Sequence, residues 1–132
     1  MSINTHLVEL RTIRDQRGAI TPIEEQDDIP FKIARVYYLY DINSGSSRGG
    51  HAHHQLQQIL IAVAGSFDVI VSDGFSDVAY RLNRPNQALY IGPYVWRELH
   101  NFSAGSVCLV LASMQYEASD YIRDKSALRK AL

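Results

Sequence analysis

The 132-residue chain contains one cysteine, Cys108, so no intrachain disulfide can form. Cys108 sits in the apolar run Val107-Cys108-Leu109-Val110-Leu111, the setting of a buried, inert thiol. Long hydrophobic runs are missing too: nothing approaches the roughly 20 apolar residues that span a bilayer. Charge of either sign is not in excess. Thirteen Lys and Arg against 14 Asp and Glu leave a formal charge of −1, and no basic stripe or arm offers itself to a phosphodiester backbone. Met1 to His6 has neither a basic n-region nor an apolar h-region, which predicts no signal peptide and a cytoplasmic protein. A Walker or Rossmann glycine pattern is lacking, so any nucleotide must be held in some other way. There is no internal repeat, low-complexity stretch or linker, and the length suits one domain over residues 1–132.

Short β-type runs separated by turn residues fill most of the sequence. Strands are expected at His6 to Thr12, Ala19 to Glu24, Phe31 to Asp41, Gly50 to Val63 with a break near Gln55, Ser66 to Ser72, Phe75 to Leu82, Ala88 to Ile91, Trp96 to Phe102 and Ser106 to Ala112. Arg17-Gly18, Ala64-Gly65, Asn83 to Asn86, Gly92-Pro93 and Ser103 to Gly105 read as turns, Asn43 to Gly50 as a Gly/Ser loop, and Asp73-Gly74 as a hairpin signal. Strands at this spacing predict an all-β sandwich or closed barrel rather than β/α units. The tail, Ser119 to Leu132, predicts a helix with Ser119 as its N-cap.

The densest chemistry lies in Arg48-Gly49-Gly50-His51-Ala52-His53-His54. Alternate residues of a strand share a face, so His51 and His53 point one way and His54 the other. Two adjacent imidazoles make either a metal site or acid/base apparatus. A catalytic metal usually takes three protein ligands. The position completing such a set is Gln57 or Gln58, whose amides are poor ligands, and the later position holds Arg97, which repels a cation. Glu98 and His100 are the remaining candidate donors. Without a metal, the pair serves as base and acid. Arg17 and Arg48 beside turns, with Tyr37, Tyr38, Tyr40, Tyr90, Tyr94 and Trp96, form a basic and aromatic set. That set suits an anionic, ring-bearing ligand held by phosphate-matching guanidinium groups and aromatic faces at a barrel mouth.

Arg17-Gly18, Ile33-x-Arg35-Val36-Tyr37-Tyr38, Arg48-Gly49-Gly50-His51-Ala52-His53, Gly92-Pro93-x-x-Trp96-x-Glu98, Phe102-Ser103 and Asp120-Tyr121-Ile122-Arg123 together resemble the TDP-4-keto-6-deoxyglucose 3,4-ketoisomerases, small cupins of the WxcM-like group. The similarity runs in order along nearly the whole chain. It implies an antiparallel cupin barrel (an RmlC-like jelly roll) with a short C-terminal helix, a homodimer with exchanged N-terminal strands, and neither a metal nor an organic cofactor. The implied substrate is a dTDP-linked 4-keto-6-deoxyglucose, isomerised to a 3-keto sugar that feeds aminotransfer at C3, toward 3-amino-3,6-dideoxyhexoses of surface polysaccharide. Arg97 stands where some relatives carry histidine, which bears on whether C4 ends gluco or galacto. Gln57 stands where relatives often carry glutamate.

On that resemblance His51 is the expected base at C3, His53 relays or orients the second proton transfer, and Tyr37 donates to the enediolate oxygen. Arg17 and Arg48 are expected on the pyrophosphate, with Tyr38, Gln58, Trp96 and Arg97 in the substrate site. Two other readings compete: a dTDP-sugar 3,5-epimerase, whose histidine base pairs with a distant aspartate not visible here, and a non-catalytic sugar- or metal-binding cupin.

Overall fold

The computed structural model describes residues 2–43 and 45–132. Its strands are β1 (Thr5–Glu9), β2 (Ile13–Asp15), β3 (Gly18–Ile20), β4 (Arg35–Leu39), β5 (Arg48–His53), β6 (Gln58–Ala64), β7 (Phe67–Ser72), β8 (Asp77–Leu82), β9 (Gln87–Ile91), β10 (Trp96–His100), β11 (Val107–Ala112) and β12 (Tyr121–Ile122). A 3₁₀ turn at Ala118–Asp120 precedes β12, and helix α1 (Lys125–Ala131) ends the chain.

Two five-stranded sheets carry the fold, in the orders β1-β9-β6-β11-β4 and β12-β5-β10-β7-β8. All their pairings are antiparallel. Most join strands distant in sequence, as a jelly roll requires. β2 and β3 pair only with each other, as a hairpin.

Alternation decides what each strand buries. On β7, Phe67, Val69 and Val71 face the space between the sheets, where they meet Leu60, Leu89, Ile91, Leu99 and Val110. β6 is apolar on both faces. Leu60 and Ala62 point into this core, while Ile59 and Ile61 point outward under Leu10, Ile29 and Phe31. A third cluster covers the outer face of the second sheet, where Ala52 and Trp96 pack against Ile122 and Leu128 of the C-terminal segment.

The expected β architecture is present, with local differences that tertiary packing explains. The run Phe31 to Asp41 is strand only over β4, because Phe31 is drawn onto the outer cluster and Asp41 turns the chain with φ 53°. Ala19 to Glu24 contributes only β3. The expected Asn43 to Gly50 loop gives up Arg48 onward to β5; its Ser44 lies outside the described residues.

The tail departs most. Ser119 does not cap a helix; it lies in the 3₁₀ turn. The helix starts six residues later, where Asp124 accepts a hydrogen bond from the Ala127 amide at 2.8 Å. The reason is tertiary: Tyr121 and Ile122 pair with His53 and Ala52 as a strand, which helical geometry forbids. Leu128, fully buried, anchors α1 to the sheet. Replacing Leu128 with Ala should therefore cost about 2–5 kcal/mol, read as a lowered urea midpoint; an unchanged midpoint would show that α1 is not part of the folded core.

Candidate active site

The Arg-Gly-Gly-His run acquires its meaning from one extra residue. On β10, Arg97 lies opposite His51, but the next residue, Glu98, lies opposite Gly49, and Leu99 opposite Arg48. Gly50 is thus the inserted residue of a β-bulge, with φ 79°. A bulge shifts the phase of alternation. Arg48, which strict alternation would turn away from His51, shares the inward face with it. Gly49 is needed for a second reason: a Cβ there would lie 2.9 Å from the Arg97 carbonyl oxygen.

The inward side chains enclose a cavity of about 220 Å³ between the sheets. Its polar wall comprises Arg35 and Tyr37 from β4, Arg48 and His51 from β5, Gln58 from β6 and Arg97 from β10. Tyr116 and Tyr121 close the side next to the C-terminal segment, and Leu60, Leu99 and Val110 supply an apolar floor.

Arg97 governs the electrostatics. Its side chain is 2% exposed. The guanidinium donates to the Val95 carbonyl (Nη2, 3.0 Å) and to Gln58 Oε1. Among the described residues no carboxylate pairs with it. Burial pushes its pKa down to about 10, still a cation at neutral pH. Gln58 passes this polarity on. With Oε1 committed to Arg97, its Nε2 donates to the Tyr37 hydroxyl at 3.0 Å. The Tyr37 oxygen is then an acceptor toward Gln58, and its own proton is free for the cavity. Burial raises the Tyr37 pKa, against the Gln58 hydrogen bond and the Arg97 charge.

The histidines respond to the same field. Burial first, and the Arg97 charge second, push His51 down to about 4 and His53 to about 3. Both are neutral near pH 7, and neutral imidazole is the base form. They are not equivalent. His51 lines the cavity, whereas His53, 2% exposed, lies behind it with its ring edge-on to His51, centroids 4.9 Å apart. Tyr121 packs on both rings, at 4.9 and 4.3 Å.

Other expected site residues lie elsewhere. Tyr38 is on the outer face of β4, 60% exposed and against Tyr40; adjacent residues of one strand cannot both face in, and Tyr37 does. Trp96 is likewise turned out by its neighbour Arg97. Its indole donates to Glu98 Oε2 at 2.9 Å and its ring packs in the C-terminal cluster. Glu98 then meets His100 at 3.1 Å on that same outer face. Arg17 is at the tip of the β2–β3 hairpin, paired with Asp15 at 2.7 Å, and does not line this chain's cavity. His54 is exposed against Tyr94, and His6 stacks on Tyr90. No group of three His, Cys, Asp or Glu side chains at metal-binding spacing occurs among the described residues. Beside His51 the cavity wall carries three guanidinium groups, Arg35, Arg48 and Arg97, which repel a cation, and the Gln58 amide, a poor ligand for a transition metal.

Arg35, Tyr116 and Tyr121 were not singled out for the site. Arg35 shares parity with Tyr37, and its guanidinium lies 4.5 Å over the Tyr37 ring; that spacing could have revealed it. Tyr121 was concealed by the expected helix. So was Asp120, whose carboxylate approaches His53 Nδ1 at 3.2 Å, a histidine–aspartate contact that the sequence reading did not find.

A family profile described as FdtA, WxcM-like, C-terminal matches residues 3–132. The chain belongs to this family. It is 43% identical over 124 residues, 94% of its length and 89% of the relative's, to the TDP-4-oxo-6-deoxy-alpha-D-glucose-3,4-oxoisomerase of Aneurinibacillus thermoaerophilus. Among solved structures, a mutant 3,4-ketoisomerase of Thermoanaerobacterium thermosaccharolyticum, in complex with TDP-4-keto-6-deoxyglucose, superposes with a TM-score of 0.95 at 41% identity, over 99% of this chain and 96% of that one. The TDP-quinovose 3,4-ketoisomerase of Campylobacter jejuni gives 0.90 at 46% identity, over 96% and 98%. The family member described here is accordingly an isomerase with a cupin-like fold.

The bulge provides a direct check on this site. Gly50→Ala has open space around its Cβ but must adopt φ 79°. The strain should cost about 1–3 kcal/mol and, by flattening the bulge, turn Arg48 from the cavity. The expected result is a raised KM for the nucleotide sugar together with a lower melting temperature; unchanged KM would mean that the bulge does not aim Arg48.

Proposed function

We propose that the protein is a dTDP-4-keto-6-deoxy-D-glucose 3,4-ketoisomerase that works without a metal or organic cofactor. The observation that carries the mechanism is the donor chain from Arg97 through Gln58 to Tyr37, set in the same cavity as the neutral base His51. The C3 proton of the sugar is α to the C4 carbonyl. His51 removes it, the electron pair forms the C3=C4 bond, and the C4 oxygen takes the proton that Tyr37 presents. The buried Arg97 charge stabilises the negative charge as it builds on O4 and passes to the Tyr37 oxygen, in a cavity of low dielectric. Tyr37 is then reprotonated from the C3 hydroxyl, C3=O forms, and the imidazolium of His51 returns a proton to C4. One proton has moved from C3 to C4 and one from O3 to O4, so the exchange balances. His53 does not reach the sugar and serves to orient His51.

Arg48, at the cavity wall, is our choice for the pyrophosphate, with Arg35 beside it. The 3-keto product has the carbonyl that a C3 aminotransferase needs, consistent with 3-amino-3,6-dideoxyhexose synthesis on a cytoplasmic nucleotide sugar.

His51→Asn should lower kcat about 10²–10⁴-fold. In heavy water the wild-type enzyme, left to interconvert substrate and product, should place deuterium at C3 and C4. Label enters to the extent that the proton on His51 exchanges with solvent before it reaches C4, so near-normal turnover of the variant is the result that overturns the reading. The acid limb of kcat/KM should be centred near pH 4 rather than 6.5, since the base form persists down to the lowered His51 value. Both histidines bind protons more weakly folded than unfolded, so stability falls as pH drops from about 6.5 toward 3–4; rates are therefore taken in brief assays from a neutral stock.

We also propose a homodimer with exchanged N-terminal strands. β1 already pairs with β9 of its own chain, so the exchanged element would be the β2–β3 hairpin. Its Ile13 and Ile20 are 57% and 65% exposed, and among the described residues no other strand pairs with it. Arg17, at the hairpin tip, would travel with the exchanged element and is our candidate for a residue supplied to the partner's site. Light scattering at micromolar concentration should give a dimer, and the double substitution Ile13→Asp, Ile20→Asp should give a monomer with weakened substrate binding. A wild-type monomer rules exchange out.

A further inference from the structure

The contact between His53 and Asp120 is not used by the mechanism above. Asp120 is 6% exposed and carries three attachments. Its Oδ1 accepts from the Gln55 amide at 2.9 Å and its Oδ2 from the Leu56 amide at 3.1 Å. Its backbone carbonyl accepts from the His54 amide at 3.0 Å. Oδ2 also stands 3.2 Å from His53 Nδ1. That last contact is close in distance but poorly aligned, and both ring nitrogens of His53 lack a hydrogen-bond partner among the described residues.

A buried imidazole without partners is costly. The charges around it make one resolution favourable. His51 and His54 flank His53 on its own segment, Arg97 approaches from β10 and Arg123 from beyond β12. These neighbours are cationic or neutral, and Asp120 is the carboxylate in contact. Protonating His53 would place a third positive group beside the two arginines. A neutral ring carrying its proton on Nδ1 instead directs that proton at Asp120 and needs only a small rotation to become a charge-assisted hydrogen bond. Unengaged catalytic hydrogen bonds are commonly this loose.

We propose that Asp120 is a positioning residue: it holds His53 in the Nδ1-protonated tautomer, and the edge of His53 in turn fixes the ring of His51 against the cavity. The same carboxylate ties down residues 55 and 56, one residue short of Gln58 at the start of β6, so one side chain sets both the base and the start of the strand carrying the Tyr37 hydrogen-bond partner. His53 is by this account neither a relay nor an acid. The inference rests on the reading of His51 as the base only for its kinetic consequences; the tautomer is a claim about the protein itself.

Two measurements test it. In the ¹⁵N-histidine NMR spectrum of the wild-type protein near pH 7, His53 should carry its proton on Nδ1; a proton on Nε2 alone overturns the proposal, whatever the enzyme turns over. In kinetics, Asp120→Asn should lower kcat by up to about 100-fold, the scale of a misplaced reacting group, with KM changed less than threefold. In a His53→Asn background the same substitution should cost less than threefold. Full additivity of the two, or a kcat equal to that of the wild type, overturns it. If Asp120→Asn does not fold, the tautomer alone decides.

Discussion

A guanidinium buried between two sheets, with no carboxylate beside it among the described residues, is the constraint on which the site depends. Taking a cation out of water costs several kcal/mol even after relaxation, and natural interiors usually offset that with an acid. Arg97 instead has the Val95 carbonyl and the Gln58 amide oxygen. Dipoles of this kind hold a charge in place without cancelling it. The uncancelled charge then acts on everything around it: it disfavours protonation of His51 and His53, and through Gln58 it orients the Tyr37 proton toward the cavity. A carboxylate partner would make the fold more stable and the cavity less useful, because the developing oxyanion of an enolisation would find the field already neutralised. Conflict between local stability and site chemistry is expected where function resides.

Much of the architecture was legible because it is written in local chemistry. The alternation of Phe67, Val69 and Val71 gave β7, and Asp73-Gly74 gave the hairpin that follows. There Asp73 Oδ1 accepts from the Phe75 and Ser76 amides, and Gly74 adopts φ 96°. The break near Gln55 separates β5 from β6 as the sequence implied. Strand lengths were less legible, since whether Phe31 continues a strand or covers a neighbouring sheet depends on a face formed by Ile59 and Ile61, nearly thirty residues away.

The site was half legible for the same reason. His51, Tyr37, Arg48, Gln58 and Arg97 share the cavity as a resemblance-based reading implied. Trp96 and Tyr38 do not line the cavity, by a parity present in the sequence: each is adjacent on its strand to a residue that faces in. Arg48 shows the opposite situation. Parity alone would have turned it out, and only the extra residue in the Gly49-Gly50 pair restores it. Asp120 and Tyr121 were hidden by a helical pattern that the isolated segment could satisfy, but that pairing with β5 overrides.

That override links the C-terminus to the chemistry. β12 is only two residues long, too short to hold itself by backbone pairing. It is fixed from outside, by Ile122 and Leu128 against Trp96 and Ala52, and from inside, by Asp120 on the amides of residues 55 and 56. Trp96, expected at the substrate site, does not line the cavity but bears on it indirectly: the cluster it anchors seats Tyr121 on the two imidazoles. The outer face of the second sheet is in this sense the rear wall of the site. Packing lost there would reach His51 as well as the stability of the β-sandwich, since Tyr121, seated by that cluster, lies against both imidazoles.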